Sequence, residues 1–104
     1  MVRRVKVITL CGSLKFKNEM MKIAEELSLE GNCILTPIYP VNEKKERTTE
    51  ELKKLKEAHF KRIDFSDAIY VVNVNDYIGE STKIEIEYAK SKGKEIFYYA
   101  NKTF

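Results

Sequence analysis

Two glutamates, Glu85 and Glu87, stand two residues apart in the segment Tyr77-Ile78-Gly79-Glu80-Ser81-Thr82-Lys83-Ile84-Glu85-Ile86-Glu87-Tyr88-Ala89. Their chemistry differs if the segment is helical. At about 100° per residue, with Ile84 at zero, Tyr88 falls near about 40°, Glu85 near about 100° and Ala89 near about 140°. Glu85 then lies inside an apolar arc, while Glu87 falls near about 300° beside Lys83 and Lys90. A carboxylate on a buried arc needs a partner or a purpose. Glu85 pairs with a buried lysine, caps a backbone amide, or meets a ligand, and in the last case it has reactive chemistry open to it. A second group of candidates is Cys11-Gly12-Ser13, and a third is the run Asn75, Asp76, Tyr77, Gly79 and Ser81. Both runs combine hydroxyl or amide donors with a glycine that lets backbone approach a ligand.

The elements that would position these residues alternate strand and helix. Val5–Leu10 is β-branched and reads as the first strand. Cys11-Gly12-Ser13 turns out of it, and Ser13 stands where a helix N-cap belongs. Phe16, Met20, Ile23, Ala24 and Leu27 recur at helical spacing until Gly31-Asn32. Cys33–Leu35 is a short second strand, followed by a loop holding Pro37 and Pro40 and by a solvated charge run from Glu43 to Arg47. Thr48 and Glu51 form a capping box. The helix behind them carries Leu52, Leu55, Ala58, His59, Ile63 and Phe65 on one side. His59 on that stripe reads either as a satisfied core histidine or as a site residue. Asp67–Val74 is the strongest strand signal, apolar enough for burial on both faces. In the Glu85 helix, Ser81 or Thr82 can cap the start and Gly93 can end it. Glu95–Tyr99 is the fourth strand, and Asn101–Phe104 is a stub.

This alternation predicts one α/β domain over residues 1–104: a three-layer parallel sheet with helices on both faces, flavodoxin-like or Rossmann-like, in strand order 2-1-3-4. The topological switch point lies between strands 1 and 3. The loops after those strands hold Cys11-Gly12-Ser13 and Asn75–Ser81, so they open on one crevice, each feeding a helix N-terminus that favours an anion.

Bulk properties narrow the function. The 104 residues carry 19 basic and 16 acidic side chains, net +3, with lysines and glutamates interleaved. That charge does not argue for nucleic acid, and no apolar run is long enough to span a bilayer. The apolar run after Met1–Arg4 is broken by Lys6 and reads as a strand, not a signal peptide, so the expected location is cytoplasmic. Cys11 and Cys33 read as reduced and semi-buried. With one histidine and no Cys/His cluster, no metal site is expected. Cys11 shows no base partner for a nucleophilic role. Neither a dinucleotide fingerprint nor a P-loop is present.

Leu10-Cys11-Gly12-Ser13, the strand Asp67–Val72, and the turn and helix Tyr77–Thr82, Glu85–Ala89 and Gly93-Lys94 together resemble the nucleoside 2-deoxyribosyltransferase superfamily, which includes deoxynucleoside 5′-monophosphate N-glycosidases. The resemblance covers nearly the whole chain. It implies that Glu85, not Glu87, attacks the anomeric carbon of a deoxyribose, forming a covalent glycosyl-enzyme resolved by water or a second base. It implies a small nucleoside or nucleotide as substrate, no cofactor, and a homodimer whose subunits complete each other's sites. Gly12 and Ser13 would line the sugar or phosphate side, with Gly79 and Ser81 opposite. Cys11 and Tyr77 join the implied substrate-binding set. His59 stands where the family carries an aspartate, and Asn75 and Asp76 are nearest to a further family acid. Beside this enzyme reading stand a catalytically weak nucleotide-binding or sensing module, and an α/β domain working through protein contacts.

Overall fold

The computed structural model describes residues 4–42 and 44–100. The stub Asn101–Phe104, residues 1–3 and Glu43 lie outside the described residues. Four parallel strands form one sheet: β1 (Val7–Cys11), β2 (Cys33–Leu35), β3 (Ala68–Val71) and β4 (Glu95–Tyr98). Their order is β2-β1-β3-β4, as the alternation predicts. Three helices connect them: α1 (Lys17–Leu29), α2 (Thr49–Asp64) and α3 (Glu80–Ser91).

Residue alternation along the two central strands sorts the core into two halves. Ile8, Leu10, Ala68, Tyr70 and Val72 face α1 and pack with Met20 and Ile23. Cys11, Ile69 and Val71 face the other way and pack with Ile63 of α2 and Ile86 and Ala89 of α3. One helix therefore covers one face and two cover the other. No helix among the described residues is long and apolar enough to cross a membrane.

The local signals hold where a side chain fixes them. Thr48 Oγ1 accepts from the Glu51 amide at 3.1 Å and Glu51 Oε1 accepts from the Thr48 amide at 2.8 Å, which completes the capping box of α2. Ser13 caps a 3-10 turn, Leu14–Phe16, that leads into α1. Gly93 ends α3 in the left-handed region at φ 70°.

Several boundaries move. β1 begins at Val7 and runs through Cys11, because Val5 lies exposed beyond the sheet and Cys11 still pairs with Val71. β3 ends at Val71. Val72 and Asn73 stay buried, but the chain then turns through Val74–Asp76. β4 is one residue shorter than expected, ending at Tyr98. Neither Ser81 nor Thr82 caps α3. Gly79 is its N-cap and makes no side-chain cap, leaving the first-turn amides available. Cys33 is exposed and Cys11 fully buried; neither is semi-buried, because β2 is an edge strand and β1 a central one. Leu52 and Ala58 of α2 and Phe65 at its C-cap are exposed, since the residues of this helix that are buried are His59 and Ile63. On α3, Ile84 is exposed and the buried residues are Thr82, Ile86 and Ala89. The buried arc is thus centred roughly 160° from Ile84, and Glu85 sits on its edge.

Candidate active site

A cavity of about 620 Å³ opens at the carboxyl ends of β1 and β3. Gly12, Ser13 and Leu14 bring the loop after β1 to it, Tyr77 and Gly79 bring the loop after β3, and Ser81 brings the first turn of α3. α2 supplies Lys56, His59 and Arg62, and α3 supplies Glu85. This is the crevice that the switch point predicts.

The elements around the cavity are tied together by specific contacts. Tyr88 of α3 donates a short hydrogen bond to Asp64 of α2, and Lys94 Nζ donates to the Asp64 carbonyl at 3.2 Å. Phe60 and Tyr88 pack with ring centroids 4.6 Å apart. These contacts hold the helix bearing His59 against the helix bearing Glu85. Tyr77 is fixed across the mouth by Phe16, edge-on at 5.9 Å, and by the Lys15 ammonium 3.3 Å from its ring centroid.

Gly12 has a reason of its own. A Cβ there would lie 3.0 Å from the Val72 carbonyl oxygen and 3.1 Å from Met20 Cε. The missing side chain therefore lets the turn close on the neighbouring strand.

Glu85 has 17% of its side chain exposed, whereas Glu87 is 75% exposed and pairs with Lys90 at 3.7 Å. Glu85 lines the open cavity and is not sealed against a lysine. Its oxygen lies 3.7 Å from His59 Nε2, longer than a hydrogen bond. Cys11 Sγ lies 3.6 Å from the same nitrogen. Arg62 Nη1 lies 3.2 Å from the other ring nitrogen, His59 Nδ1. Burial pushes the Glu85 carboxyl up to about 7, partly offset by a hydrogen bond from the Cys11 thiol and by Lys56. Burial, then the Arg62 charge, pushes His59 down to about 4, so its ring is neutral at pH 7. Burial and the adjacent Glu85 hold the Cys11 thiol well above its ordinary value.

The fold brings together two features that the chain spacing does not show. The chain does contain a cluster of metal-ligating types: single donor atoms of Cys11, His59 and Glu85 lie within 4.8 Å of one another. Cys11 also has a histidine beside it, although its raised thiol stays protonated and gains no nucleophilic character. Spacing along the chain hides both facts, because the three residues sit on β1, α2 and α3.

Of the sequence candidates, Gly12, Ser13, His59, Tyr77, Gly79, Ser81 and Glu85 line the cavity. Cys11 lies behind them, bonded to His59. Asn75 and Asp76 are exposed and outside the lining, and both adopt positive φ, 54° and 63°. Asn and Asp tolerate that region, so these two residues shape the turn. The lining also includes three cations the sequence reading did not single out, Arg47, Lys56 and Arg62. The signal for two of them was present: Lys56, His59 and Arg62 recur every third residue, one face of a helix. No known protein family matches the chain, and no curated protein does.

Proposed function

We propose that the protein cleaves the N-glycosidic bond of a deoxyribonucleoside or its 5′-monophosphate, with Glu85 as nucleophile. The observation that carries this reading is the half-buried Glu85 carboxylate, open to a cavity at the switch point of the sheet. A Glu85 oxygen attacks C1′, the C1′–N bond breaks, and the base leaves with the bonding pair and takes up a proton. Water or a second base then attacks C1′ and frees the carboxylate. Attack requires the ionised form, so base release should rise with pH through about 7. The uncapped first turn of α3, Ser13 and the cations Arg47, Lys56 and Arg62 suit a substrate bearing a 5′-phosphate. The resemblance that suggested this chemistry also expects a homodimer in which neighbouring subunits complete the site.

One observation favours a second reading, a nucleotide-binding or sensing module with little turnover. The cavity-lining carboxylates are Glu80 and Glu85, and Glu80 is exposed and paired with Lys83 at 3.2 Å. His59 is neutral at pH 7, so a strong proton donor for the leaving base is not among the lining residues.

The test is incubation with each deoxynucleoside and deoxynucleoside monophosphate, with free base read by chromatography. The enzyme reading expects base release by the wild type and by Glu87→Ala, and a loss of at least roughly a thousandfold in Glu85→Ala. A wild type that releases no base but melts at a higher temperature with a nucleotide supports the module. If the wild type shows neither base release nor a melting shift, both ligand readings fail.

A further inference from the structure

We propose that Arg62 is a positioning residue that fixes the direction of a hydrogen-bond chain, from Arg62 to His59 to Cys11 to Glu85, and so keeps the Cys11–His59–Glu85 trio closed to zinc. The argument starts from a group that has no choice. A guanidinium donates and never accepts. Arg62 Nη1 stands 3.2 Å from His59 Nδ1, so Nδ1 must present its lone pair there. The hydrogen of the neutral ring then sits on Nε2. Nε2–H points to Cys11 Sγ at 3.6 Å, which accepts. The thiol hydrogen is left to point toward the Glu85 carboxylate, whose oxygen lies within 4.8 Å of Sγ and which accepts when ionised. Every link runs one way, away from the cation and toward the anion.

Arg62 itself is held by its backbone. Ser66 Oγ donates to the Arg62 carbonyl at 2.8 Å, and that hydroxyl is paired with Thr9 of β1 in the buried interior. The guanidinium therefore starts from an anchored point on the sheet face.

The alternative that this arrangement rejects is a real one. Tetrahedral zinc with bonds of about 2.3 Å to sulfur and about 2.0 Å to nitrogen sets the two ligand atoms about 3.6 Å apart. Cys11 Sγ and His59 Nε2 are already 3.6 Å apart, and a Glu85 oxygen is 3.7 Å from the same nitrogen. Spacing alone would admit the metal, with a fourth position toward the cavity. Zinc needs the Nε2 lone pair, however, and a ligating histidine gives its other N–H to an acceptor. Arg62 offers a donor at that nitrogen instead.

The chain contains one histidine, so the untagged protein gives an unambiguous answer by nitrogen NMR. At pH 7 the His59 ring is expected to carry its proton on Nε2. A proton on Nδ1 would overturn the proposal. Arg62→Lys keeps a donor and should keep the pattern, while Arg62→Glu supplies an acceptor and should reverse it. Cobalt(II) serves as the zinc probe through its thiolate absorption. Arg62→Glu should bind it roughly 10–100-fold more tightly than the wild type. A wild type that binds cobalt as tightly as Arg62→Glu rules the proposal out. Should Arg62→Glu fail to fold, the wild-type tautomer decides alone. None of these readouts uses nucleoside turnover, so this inference and the glycosidase reading stand or fall separately.

Discussion

Leu10 and Cys11 are consecutive, fully buried, and face opposite sides of the sheet. The side that Leu10 faces is closed by apolar packing from Met20 and Ile23. The side that Cys11 faces begins the same way, with Ile63, Ile86 and Ala89, but becomes polar towards the carboxyl ends of the strands. There His59, Glu85 and Arg62 replace what would be core residues. The contrast separates two uses of burial. On the α1 face burial supplies stability. On the α2–α3 face it raises the carboxyl of Glu85 and lowers the ring of His59, and the stability is smaller for it.

The largest effect expected from this contrast is on stability. Leu10→Ala removes most of a side chain with no room to collapse, and should cost roughly 2–5 kcal/mol. Cys11→Ala removes one atom of similar burial and should cost about 1 kcal/mol. The ligand response should move the other way. Leu10→Ala leaves the folded fraction competent to bind a nucleotide, whereas Cys11→Ala removes the thiol between His59 and Glu85. Chemical denaturation and nucleotide-induced shifts in melting temperature on both variants check this. Equal costs would show that the two faces are packed alike, and the distinction would fail.

Next in size is the cost of Glu85 itself. In the unfolded chain its carboxyl titrates near its ordinary 4.5, and burial in the folded protein pushes it to about 7. The folded state therefore binds the proton more tightly. Stability from this group is fully present below about pH 4.5 and is lost as pH rises through about 7. The loss approaches roughly 3 kcal/mol as an upper figure, reduced by solvent at the cavity mouth. Glu85→Gln, which does not ionise, should be more stable than the wild type above pH 7, with the gap closing towards pH 4.5. His59 works in the opposite sense. Its folded value of about 4 lies below the ordinary 6.5, so its contribution is present above about pH 6.5 and lost as pH falls towards 4. Both proteins share that term, so the difference between their unfolding curves is the quantity to measure. Parallel pH profiles would mean that Glu85 is not desolvated.

These comparisons also mark what could be read from the residues alone. The strand order follows from the alternation of elements, and the capping box from Thr48 and Glu51. Glu85 is distinguishable from Glu87 by angle, although Ile84 does not mark the centre of the buried arc. Ile84 is exposed, and Glu85 falls on the edge of the buried arc rather than within it. The trio at the cavity floor was not legible, because Cys11 and His59 are 48 residues apart and meet only once β1 and α2 pack. Arg62 shares a helix face with Lys56 and His59, but its place between Ser66 and His59 depends on the fold. Asn75 and Asp76 carried the right residue types for a site, but their left-handed backbone uses those types for the turn.

A smaller effect tests the boundary between the faces. Gly12 lines the cavity, yet an added Cβ would press on Val72 O and Met20 Cε, which belong to the α1 side. Val72 O is backbone and cannot swing aside. Gly12→Ala should cost roughly 1–3 kcal/mol in unfolding experiments. A Met20→Ala background should return part of that cost by freeing the space beyond Cε. Additive costs in the double variant would mean that the turn itself, not its contact with the α1 face, requires glycine.

The smallest effect concerns Gly93, which has space around it but a left-handed backbone. Gly93→Ala meets no atom within 4 Å, so its cost is conformational, about 1 kcal/mol. Gly93 closes α3 at the end away from the cavity, since the Gly79–Ser81 turn that lines the cavity begins that helix. The variant should therefore lower the melting temperature by a few degrees while leaving the His59 ring proton on Nε2. If the tautomer changed as well, α3 would be transmitting its C-terminal geometry to Glu85. The contacts of Tyr88 and Lys94 with Asp64 are the route such coupling would take, because they join the last turn of α3 and the residue after Gly93 to the helix that carries His59.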